Sequence, residues 1–386
     1  LYHRRFMTID QTTIITSGIL LLLAIVTPFL NPFFRKIRKE EQEDNCDDGQ
    51  QQQLPPITVL ITAHDNAPEL KRNLPLILEQ DYPAGYQVIV VAERGDSESE
   101  DVLKRLSANS HLYYTLIPES SRYMSRKKLS VTLGVKAAAN EWILMTEPTC
   151  APQSDKWLAT MARHCHQGND LVMGYSNYVP SAPLYYRFER LHAECYSLRE
   201  AQKGIAYGHP GSNLLFRKSI FLNEEGFRGN LNLVRGEYDF IVNKFAKKGN
   251  TATEIAPEAW VREDAPTRKA WKYRHLYYLE TRKYLSRGFA HRFLFNLDQT
   301  MLHLSFLASA AGLTLSALQQ QWVITSAAAA SILIMWIVRG IMMVRAARML
   351  GEHIPGILAL PLQLAVVWHN IGYRIKYLLA DKLDFT

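Results

Sequence analysis

The stretch ITVLITAHD, residues 57–65, decides the fold of this chain. Its first six residues form a short β-rich run with apolar side chains throughout its centre, which is typical of a strand covered on both faces. A helical pattern follows, with Leu70, Leu74 and Leu78 on one face, and it ends before Tyr82-Pro83. The sequence therefore begins its longest soluble segment with a buried strand and an amphipathic helix.

Strand and helix patterns continue to alternate downstream. Further strands are predicted over residues 87–91, 112–117 and 142–146, and helices over residues 98–106 and 127–139. This alternation predicts an α/β fold with a doubly wound, mostly parallel sheet that carries helices on both faces. In such sheets ligands bind beyond the carboxyl ends of the strands, so the residues after each strand are the first candidates for a site.

Charged side chains follow three of these strands. His64 follows the first strand, Glu93 ends the second, Glu147 follows the fourth, and Lys127 and Lys128 open the third helix. Carboxylates suit a base or a ribose, and cations near a helix start suit a diphosphate. Strand-end loops are commonly polar without having a function, so the prediction of a nucleotide site depends on the shared location of these residues.

The composition separates a soluble segment from apolar ones. The chain has 386 residues and a net charge of +7, and its Lys and Arg residues cluster beside the apolar stretches. That distribution fits anionic headgroups better than a nucleic acid, and the sequence has no nucleic-acid module pattern. The four cysteines have irregular spacings, which favours a reducing compartment over a disulfide framework.

Three apolar stretches predict membrane segments. Residues 13–30 carry no charge and are followed by a basic run rather than a cleavage site, which indicates a retained anchor. Residues 301–318 and 322–338 read as a hairpin, with basic residues at the ends that adjoin the soluble segment. The positive-inside rule therefore predicts a cytoplasmic soluble domain. Residues 355–371 are either a further span or a re-entrant or interfacial helix.

Several motifs occur in an order that points to one enzyme family. They are residues 80–83 (QDYP), 90–93 (VVAE), 126–129 (RKKL), 144–150 (LMTEPTC), 154–158 (SDKWL), 211–213 (GSN) and 236–239 (GEYD). Together they resemble the family 2 glycosyltransferases, over residues 56–292. The resemblance implies a GT-A fold, a nucleotide-sugar donor and an inverting reaction. The membrane segments resemble those of bacterial membrane-anchored members.

The resemblance also implies roles for particular residues. On the donor side, Thr62, His64 and Glu93 would line the nucleotide pocket, with Lys127 or Lys128 near the diphosphate. Arg274 and His275 lie in the region that closes over a diphosphate in the family.

The remaining implied roles concern the metal and the acceptor. Glu147 and Thr149 occupy the places of the Asp-x-Asp that ligates a divalent metal, Mg²⁺ or Mn²⁺. Asp239 or Glu237 would be the general base that takes the acceptor proton. The acceptor-side loop would be Gly211, Ser212 and Asn213.

The implied organisation has five parts. They are an anchor at residues 13–31, an acidic and glutamine-rich linker at 32–55, the GT-A-like domain at 56–265, a basic aromatic interfacial region at 266–298, and a membrane hairpin with a third helix at 299–375. We expect a glycosyltransferase of the bacterial inner membrane that serves polysaccharide assembly. Its expected partners are a nucleotide-sugar, a lipid-linked or glycan acceptor, membrane lipids and other glycan-assembly proteins, but no nucleic acid.

Three departures from the family pattern keep alternatives open. Thr149 replaces an aspartate of the metal-binding pair, Tyr238 stands where the base is usually found, and the Gln-x-x-Arg-Trp of processive synthases is absent. One alternative is a catalytically silent scaffold that supports an active membrane glycosyltransferase. The other is a processive polysaccharide synthase, which the missing motif disfavours.

Overall fold

A computed structural model describes residues 10–34, 37–38, 54–117, 125–166, 168–381 and 385 of the chain. Most of the linker predicted at 32–55 lies outside these residues. The chain divides into two compact units. One comprises Leu1–Lys36 and Arg287–Gly372, and we call it the helical unit. The other comprises Ile37–Ser286 and Tyr373–Thr386, and we call it the α/β unit.

The secondary structure alternates as the sequence predicts. In chain order the first elements are α1 (Gln11–Val26), β1 (Ile57–Thr62), α2 (Ala67–Leu78), β2 (Tyr86–Glu93), α3 (Ser97–Leu106), β3 (Leu112–Ile117), α4 (Arg126–Ala137), β4 (Trp142–Thr146), β5 (Cys150–Pro152), α5 (Trp157–Ala162), β6 (Leu171–Gly174) and β7 (Ser176–Tyr178). The rest are α6 (Leu184–Gln202), β8 (Leu214–Arg217), α7 (Lys218–Asn223), α8 (Glu237–Phe245), β9 (Thr251–Glu254), β10 (Val261–Glu263), α9 (Arg268–Thr281), α10 (Phe289–Leu318), α11 (Trp322–Met349) and α12 (Ala359–Leu378).

The α/β unit is built on a seven-stranded sheet of order β3-β2-β1-β4-β8-β6-β9. Strands β3, β2, β1 and β4 are parallel neighbours, whereas β8 runs antiparallel to β4 and to β6. The mixed α/β fold with a parallel-dominated sheet is thereby confirmed. A second sheet of order β5-β10-β7 adds three short strands, and its register sets Glu263 opposite Cys150.

The central strand β1 is covered on both faces, as its apolar sequence predicts. Ile57, Val59 and Leu60 have no exposed surface. Helix α4 packs closely on this strand, because a Cβ on Gly134 would lie 2.2 Å from Leu60 Cδ1. Ser125 caps the start of the helix, and its hydroxyl accepts from the N–H of Lys128. This packing fixes the first turn of α4 relative to β1.

Helix α8 begins at a backbone position that needs glycine. Gly236 has a φ of 105°, a left-handed conformation that side chains disfavour. A Cβ there would also lie 2.5 Å from Thr281 Cγ2 of α9. Because glycine allows this approach, the first turn of α8, with Glu237 and Asp239, is held close to the end of α9.

The aromatic residues of the predicted interfacial region pack partly within the α/β unit. Trp271 of α9 is 5 % exposed, stacks on Tyr186 with ring centroids 3.8 Å apart, and meets Tyr178 edge-on. An aromatic side chain that packs in this way contributes to the core of the unit.

The helical unit contains the predicted membrane segments. Among the residues that the structure describes, three helices are long and apolar enough to cross a membrane: Gln11–Leu30, Arg292–Leu318 and Trp322–Met349. Residues 319–321 join the last two as a hairpin, as the sequence predicts. Helix α12, which covers most of the uncertain segment 355–371, is not one of the three.

One polar cluster lies inside the helical unit. Arg339 of α11 is fully buried; its guanidinium donates to Gln363 Oε1 at 2.6 Å and to the carbonyl of Thr27 at 3.2 Å, and it lies 3.7 Å from Asp298 Oδ1. A buried charge inside apolar helices requires such partners. The cluster therefore joins α10, α11, α12 and the end of the anchor.

Candidate active site

The site is assembled where the carboxyl ends of β2, β1 and β4 meet. Thr62 ends β1 and is partly exposed, Glu93 ends β2, and Glu147 directly follows β4. The N-terminus of α4 contributes side chains to the same edge. Polar groups from four separate elements thus meet beyond the strand ends, where α/β sheets bind ligands.

The first group of side chains centres on Glu93. Its Oε2 accepts from Arg126 Nη1 at 2.6 Å and lies 3.3 Å from His64 Nδ1. Glu93 is 8 % exposed, whereas 58 % of the His64 side chain is exposed. The structure therefore brings the predicted residues Thr62, His64 and Glu93 to one edge, and it adds Arg126, which was not among the predicted site residues.

The second group centres on an ion pair between α4 and the residue after β4. Lys127 Nζ lies 2.5 Å from Glu147 Oε1, and both side chains retain some exposure, 19 % and 17 %. The Lys127 ammonium also lies 6.0 Å from the centre of the Tyr238 ring. Burial, and after it the charge of Glu147, raise the pKa of Tyr238 well above its usual value, so its hydroxyl stays protonated.

A third carboxylate, Glu263, completes this group. Its Oε2 accepts from Arg190 Nη2 at 2.7 Å, and its Oε1 lies 3.4 Å from Arg274 Nη1. Burial alone would raise the pKa of Glu263, but Arg274 and Arg190 hold it below its usual value, and Lys127 adds to this effect. Strand β10 brings Glu263 to the site because it pairs with β5, just after Glu147.

Glu263 and Arg190 were not predicted from the sequence. The run Val261-Arg262-Glu263 is too short to stand out as a strand, and Arg190 lies within a helix of mixed polarity. The sequence signal that could have identified Glu263 is an acidic residue at the end of a short apolar run. Arg274 was predicted, and its guanidinium also donates to the Tyr178 hydroxyl and to the carbonyl of Pro210.

Lys128 binds groups in the protein interior and is not placed to bind the diphosphate. The residue has no exposed surface, and its ammonium donates to the carbonyls of Leu233 and Arg235. It lies 3.8 Å from Glu237 Oε1, and that carboxylate is itself only 3 % exposed. Burial lowers the pKa of Lys128 to about 8. Of the two lysines predicted near the diphosphate, only Lys127 can reach a ligand.

Asp239 is the better placed of the two predicted bases. It is partly exposed, unlike Glu237, and its Oδ1 accepts from the backbone N–H of His209 at 3.2 Å. Burial raises the pKa of Asp239 to about 7, and Glu237 adds to the rise. A carboxylate that titrates near neutral pH has the proton affinity suited to a general base.

The predicted acceptor-side loop lies in the packed interior. Asn213 has no exposed surface; its amide donates to the carbonyls of Tyr175 and Ala259 and accepts from Trp157 Nε1. Ser212 is 2 % exposed, and a Cβ on Gly211 would lie 2.2 Å from Arg190 Nη2. These three residues support the loop behind Arg190 and are not open to an acceptor.

His275 also lies apart from the donor site predicted for it. Its Nε2 is 3.1 Å from the carboxylate of Glu189, and its ring stacks on Tyr373 with centroids 4.2 Å apart. It shares a helix with Arg274 but none of the contacts of Arg274 to Glu263, Tyr178 or Pro210. His275 therefore joins α9 to α6 and to the C-terminal segment.

The side chains at Glu147 and Thr149 do not fit a divalent metal. Within the ranges described, no group of three or more His, Cys, Asp and Glu side chains is arranged to hold one. Glu147 is already paired with the Lys127 ammonium, and Glu263 with two guanidinium groups. Mg²⁺ and Mn²⁺ are bound through one or two carboxylates together with phosphates, and the single carboxylate at this position is held by an ammonium group.

The family of the chain follows from comparison with known sequences. A family model described as glycosyltransferase like family 2 matches residues 55–277, more than half of the chain. The chain belongs to this family. It is accordingly a glycosyltransferase, as the order of its motifs predicts. Among curated proteins, none matches this sequence.

One solved structure agrees with the GT-A fold. The mannosyltransferase PcManGT from Pyrobaculum calidifontis, in complex with GDP-Man and Mn²⁺, is 16 % identical, has a TM-score of 0.52, and aligns over 93 % of this chain and 99 % of its own. TarS residues 1–349 from S. aureus, in complex with UDP-GlcNAc, is 10 % identical, with a TM-score of 0.43 and coverage of 83 % and 92 %. At such identities the likeness to PcManGT concerns the fold of this glycosyltransferase and not its ligands.

Proposed function

We propose that this glycosyltransferase moves one sugar from a nucleotide-sugar donor to a lipid-linked or glycan acceptor, with inversion at the anomeric carbon. The observation that carries the proposal is the meeting of Lys127, Glu147, Glu263 and Arg274 at the carboxyl edge of the sheet. These groups supply both signs of charge within one small region. A diphosphate needs the cations, and the hydroxyls of a sugar need the carboxylates.

The donor binds along this edge. Thr62, His64 and Glu93 hold the nucleoside, with Arg126 fixing Glu93. Lys127 holds the diphosphate through charge-assisted hydrogen bonds, which are shorter and stronger than neutral ones.

Transfer requires a base on the acceptor side, and Asp239 has that role. Its carboxylate takes the proton of the acceptor hydroxyl while the hydroxyl oxygen forms the new bond to the anomeric carbon. The bond from that carbon to the diphosphate oxygen breaks, and the nucleoside diphosphate leaves with the electron pair. A pKa of about 7 keeps much of Asp239 ionised at neutral pH.

The acceptor class and location follow from the membrane segments. Three helices of the described chain suffice to cross a membrane, and the basic residues that adjoin them favour a cytoplasmic position for the α/β unit. In a bacterial inner membrane this arrangement gives access to acceptors carried on lipids. Assembly with other glycan-synthesis proteins belongs to the same proposal.

A silent scaffold is the second candidate, and a specific observation favours it. The carboxylate of Glu147 is paired internally, and Tyr238 occupies the place of the usual base. A protein that binds nucleotides without turnover and supports an active homologue would show these features. A processive synthase has less support, because the Gln-x-x-Arg-Trp motif is absent.

The test is nucleotide binding by the purified full chain, followed by transfer. We expect calorimetry to detect binding of UDP or GDP, and a thermal-shift screen of nucleotide-sugars to identify the donor. Failure of every nucleotide to bind, with and without Mg²⁺ or Mn²⁺, would end the proposal. Binding without transfer, together with co-purification of an active homologue, would establish the scaffold, and long products on a gel would establish the synthase.

A further inference from the structure

At the Asp-x-Asp position of this chain, a lysine ammonium lies against the remaining carboxylate. Lys127 extends from the first turn of α4, and its ammonium lies 2.5 Å from Glu147 Oε1. Glu147 is the one carboxylate that remains where the family has two, since Thr149 replaces the other. A positive charge of the protein thus contacts the carboxylate that would otherwise bind a metal ion.

The surrounding carboxylates do not make up for the missing one. Glu263 is a further carboxylate of the site, but Arg190 and Arg274 bind it, the former at 2.7 Å. Tyr238 presents a ring to the Lys127 ammonium at 6.0 Å, and its hydroxyl stays protonated. An aromatic face attracts an ammonium group but is not a ligand for a hard divalent cation.

The Lys127–Glu147 ion pair is suited to open, so that each side chain binds a group of the donor instead. Both side chains are partly exposed, so the pair contributes little to folding stability. An ammonium group has three N–H donors, and its contact with Glu147 leaves donors for phosphate oxygens. Once bonded to the diphosphate, such a cation is in place to stabilise the negative charge that develops as the sugar is transferred.

We infer that Lys127 replaces the divalent metal of this glycosyltransferase, so that a nucleoside diphosphate binds without any metal ion. The inference rests on the proposed function. On donor binding the ammonium bonds to diphosphate oxygens, and Glu147 becomes free to accept from a donor hydroxyl. During transfer Lys127 keeps all its protons: the acceptor proton goes to Asp239, and the diphosphate leaves with the electrons of its bond to the sugar.

The experiment is calorimetry on the full chain in detergent, with UDP and GDP as the titrants. One series contains excess EDTA and the other excess MnCl₂. We expect the affinity for the tighter of the two nucleotides to differ by less than about threefold between the series. Mn²⁺ titrated alone is expected to show no saturable binding, because the Glu147 carboxylate is already paired with the Lys127 ammonium.

Variants identify the residue that supplies the charge. Lys127→Met should weaken nucleotide binding in EDTA by about tenfold to a hundredfold, the range of a charge-assisted hydrogen bond, and Lys127→Arg should retain part of it. Lys136→Met is the matched control, because it removes one positive charge from an exposed position on the same helix. We expect it to change the affinity by less than about twofold.

The possible outcomes distinguish a failure of the inference about Lys127 from a failure of the proposed function. Binding that EDTA abolishes and MnCl₂ restores overturns the inference and leaves the proposed function standing. Unchanged binding in Lys127→Met overturns it as well. If neither nucleotide binds in either series, the proposed function fails and the inference fails with it. The comparison of the wild-type protein in EDTA and in MnCl₂ needs no variant. It therefore tests the inference even if Lys127→Met folds poorly.

Discussion

Replacement of Asp239 by asparagine tests the assignment of the base. Asparagine has nearly the same shape and can still accept from the N–H of His209, but it cannot take a proton. We expect Asp239→Asn to bind the nucleotide-sugar as the wild type does and to turn it over at least about 100-fold more slowly, the lower end of what a general base contributes.

The same substitution should stabilise the protein, with a defined dependence on pH. Burial raises the pKa of Asp239 from 3.8 to about 7. A carboxyl whose folded pKa exceeds its unfolded value costs stability as pH rises through this window, because the folded state must release a proton that it binds more tightly. At 1.36 kcal/mol per unit the ceiling is about 4 kcal/mol. The side chain is partly exposed, so about 1–3 kcal/mol is expected above pH 7.

The assay is thermal unfolding of both proteins across pH 4 to 8. For a unit of this size, that free energy raises the unfolding midpoint of Asp239→Asn by about 2 to 8 °C at pH 8 and leaves it nearly unchanged near pH 4. Wild-type turnover, measured by release of the nucleoside diphosphate, should fall about tenfold from pH 8 to pH 6 as the base becomes protonated.

Asp101→Asn is the control, since it neutralises an exposed carboxylate on α3. It should alter neither turnover nor the pH profile of stability. Normal turnover in Asp239→Asn would refute the assignment and move the base to Glu237 or to another residue. A gain in stability that is the same at every pH would show that the Asp239 carboxyl does not titrate as described.

Three further predictions concern charged residues. Glu147→Ala should weaken nucleotide-sugar binding at least about tenfold in calorimetry, because the bound donor loses the carboxylate that accepts from one of its hydroxyls. Lys128→Met should destabilise the α/β unit by about 2–4 kcal/mol, because two carbonyls lose a buried donor, whereas Lys127→Met should leave the thermal midpoint nearly unchanged. Arg339→Leu should lower the yield of monodisperse protein in size-exclusion chromatography, and Asp298→Asn in the same chain should restore part of it, because the pair is buried.

Each of these results has a counterpart that would contradict it. Unaltered binding in Glu147→Ala would remove this residue from the donor site. Equal thermal midpoints for the two lysine variants would show that the burial of Lys128 does not matter to folding. A double variant no better than Arg339→Leu would mean that Arg339 acts through Gln363 or Thr27 and not through Asp298.

The sequence predicted the fold well because the sheet is buried on both faces. Continuous apolar runs such as residues 57–62 and 142–146 have few alternatives, and the structure places strands over the same residues. The short strand β10 was not predicted, because three residues are too few to show an alternating pattern of side chains. Its place is set by pairing with β5, a long-range contact that local patterns do not contain.

The site was predictable to the level of strand ends but not of side-chain direction. Lys127 and Lys128 are adjacent in sequence, yet one is partly exposed and the other has no exposed surface. Neighbouring residues on a helix point about 100° apart, and only the packing of α4 on β1 decides which of them faces the cleft. The prediction that Asn213 lies on the acceptor side was wrong for a related reason. A polar side chain can be buried when all its hydrogen bonds are made.

The two lysines at the start of α4 have a mechanical consequence. Their backbones belong to one helical turn, but the first side chain ends at Glu147 and the second ends on the carbonyls of Leu233 and Arg235. When a bound nucleotide draws Lys127 toward itself, the turn cannot shift without pulling on the segment that leads into α8. The first turn of α4 and the segment that leads into α8, the helix that carries Asp239, are therefore mechanically coupled.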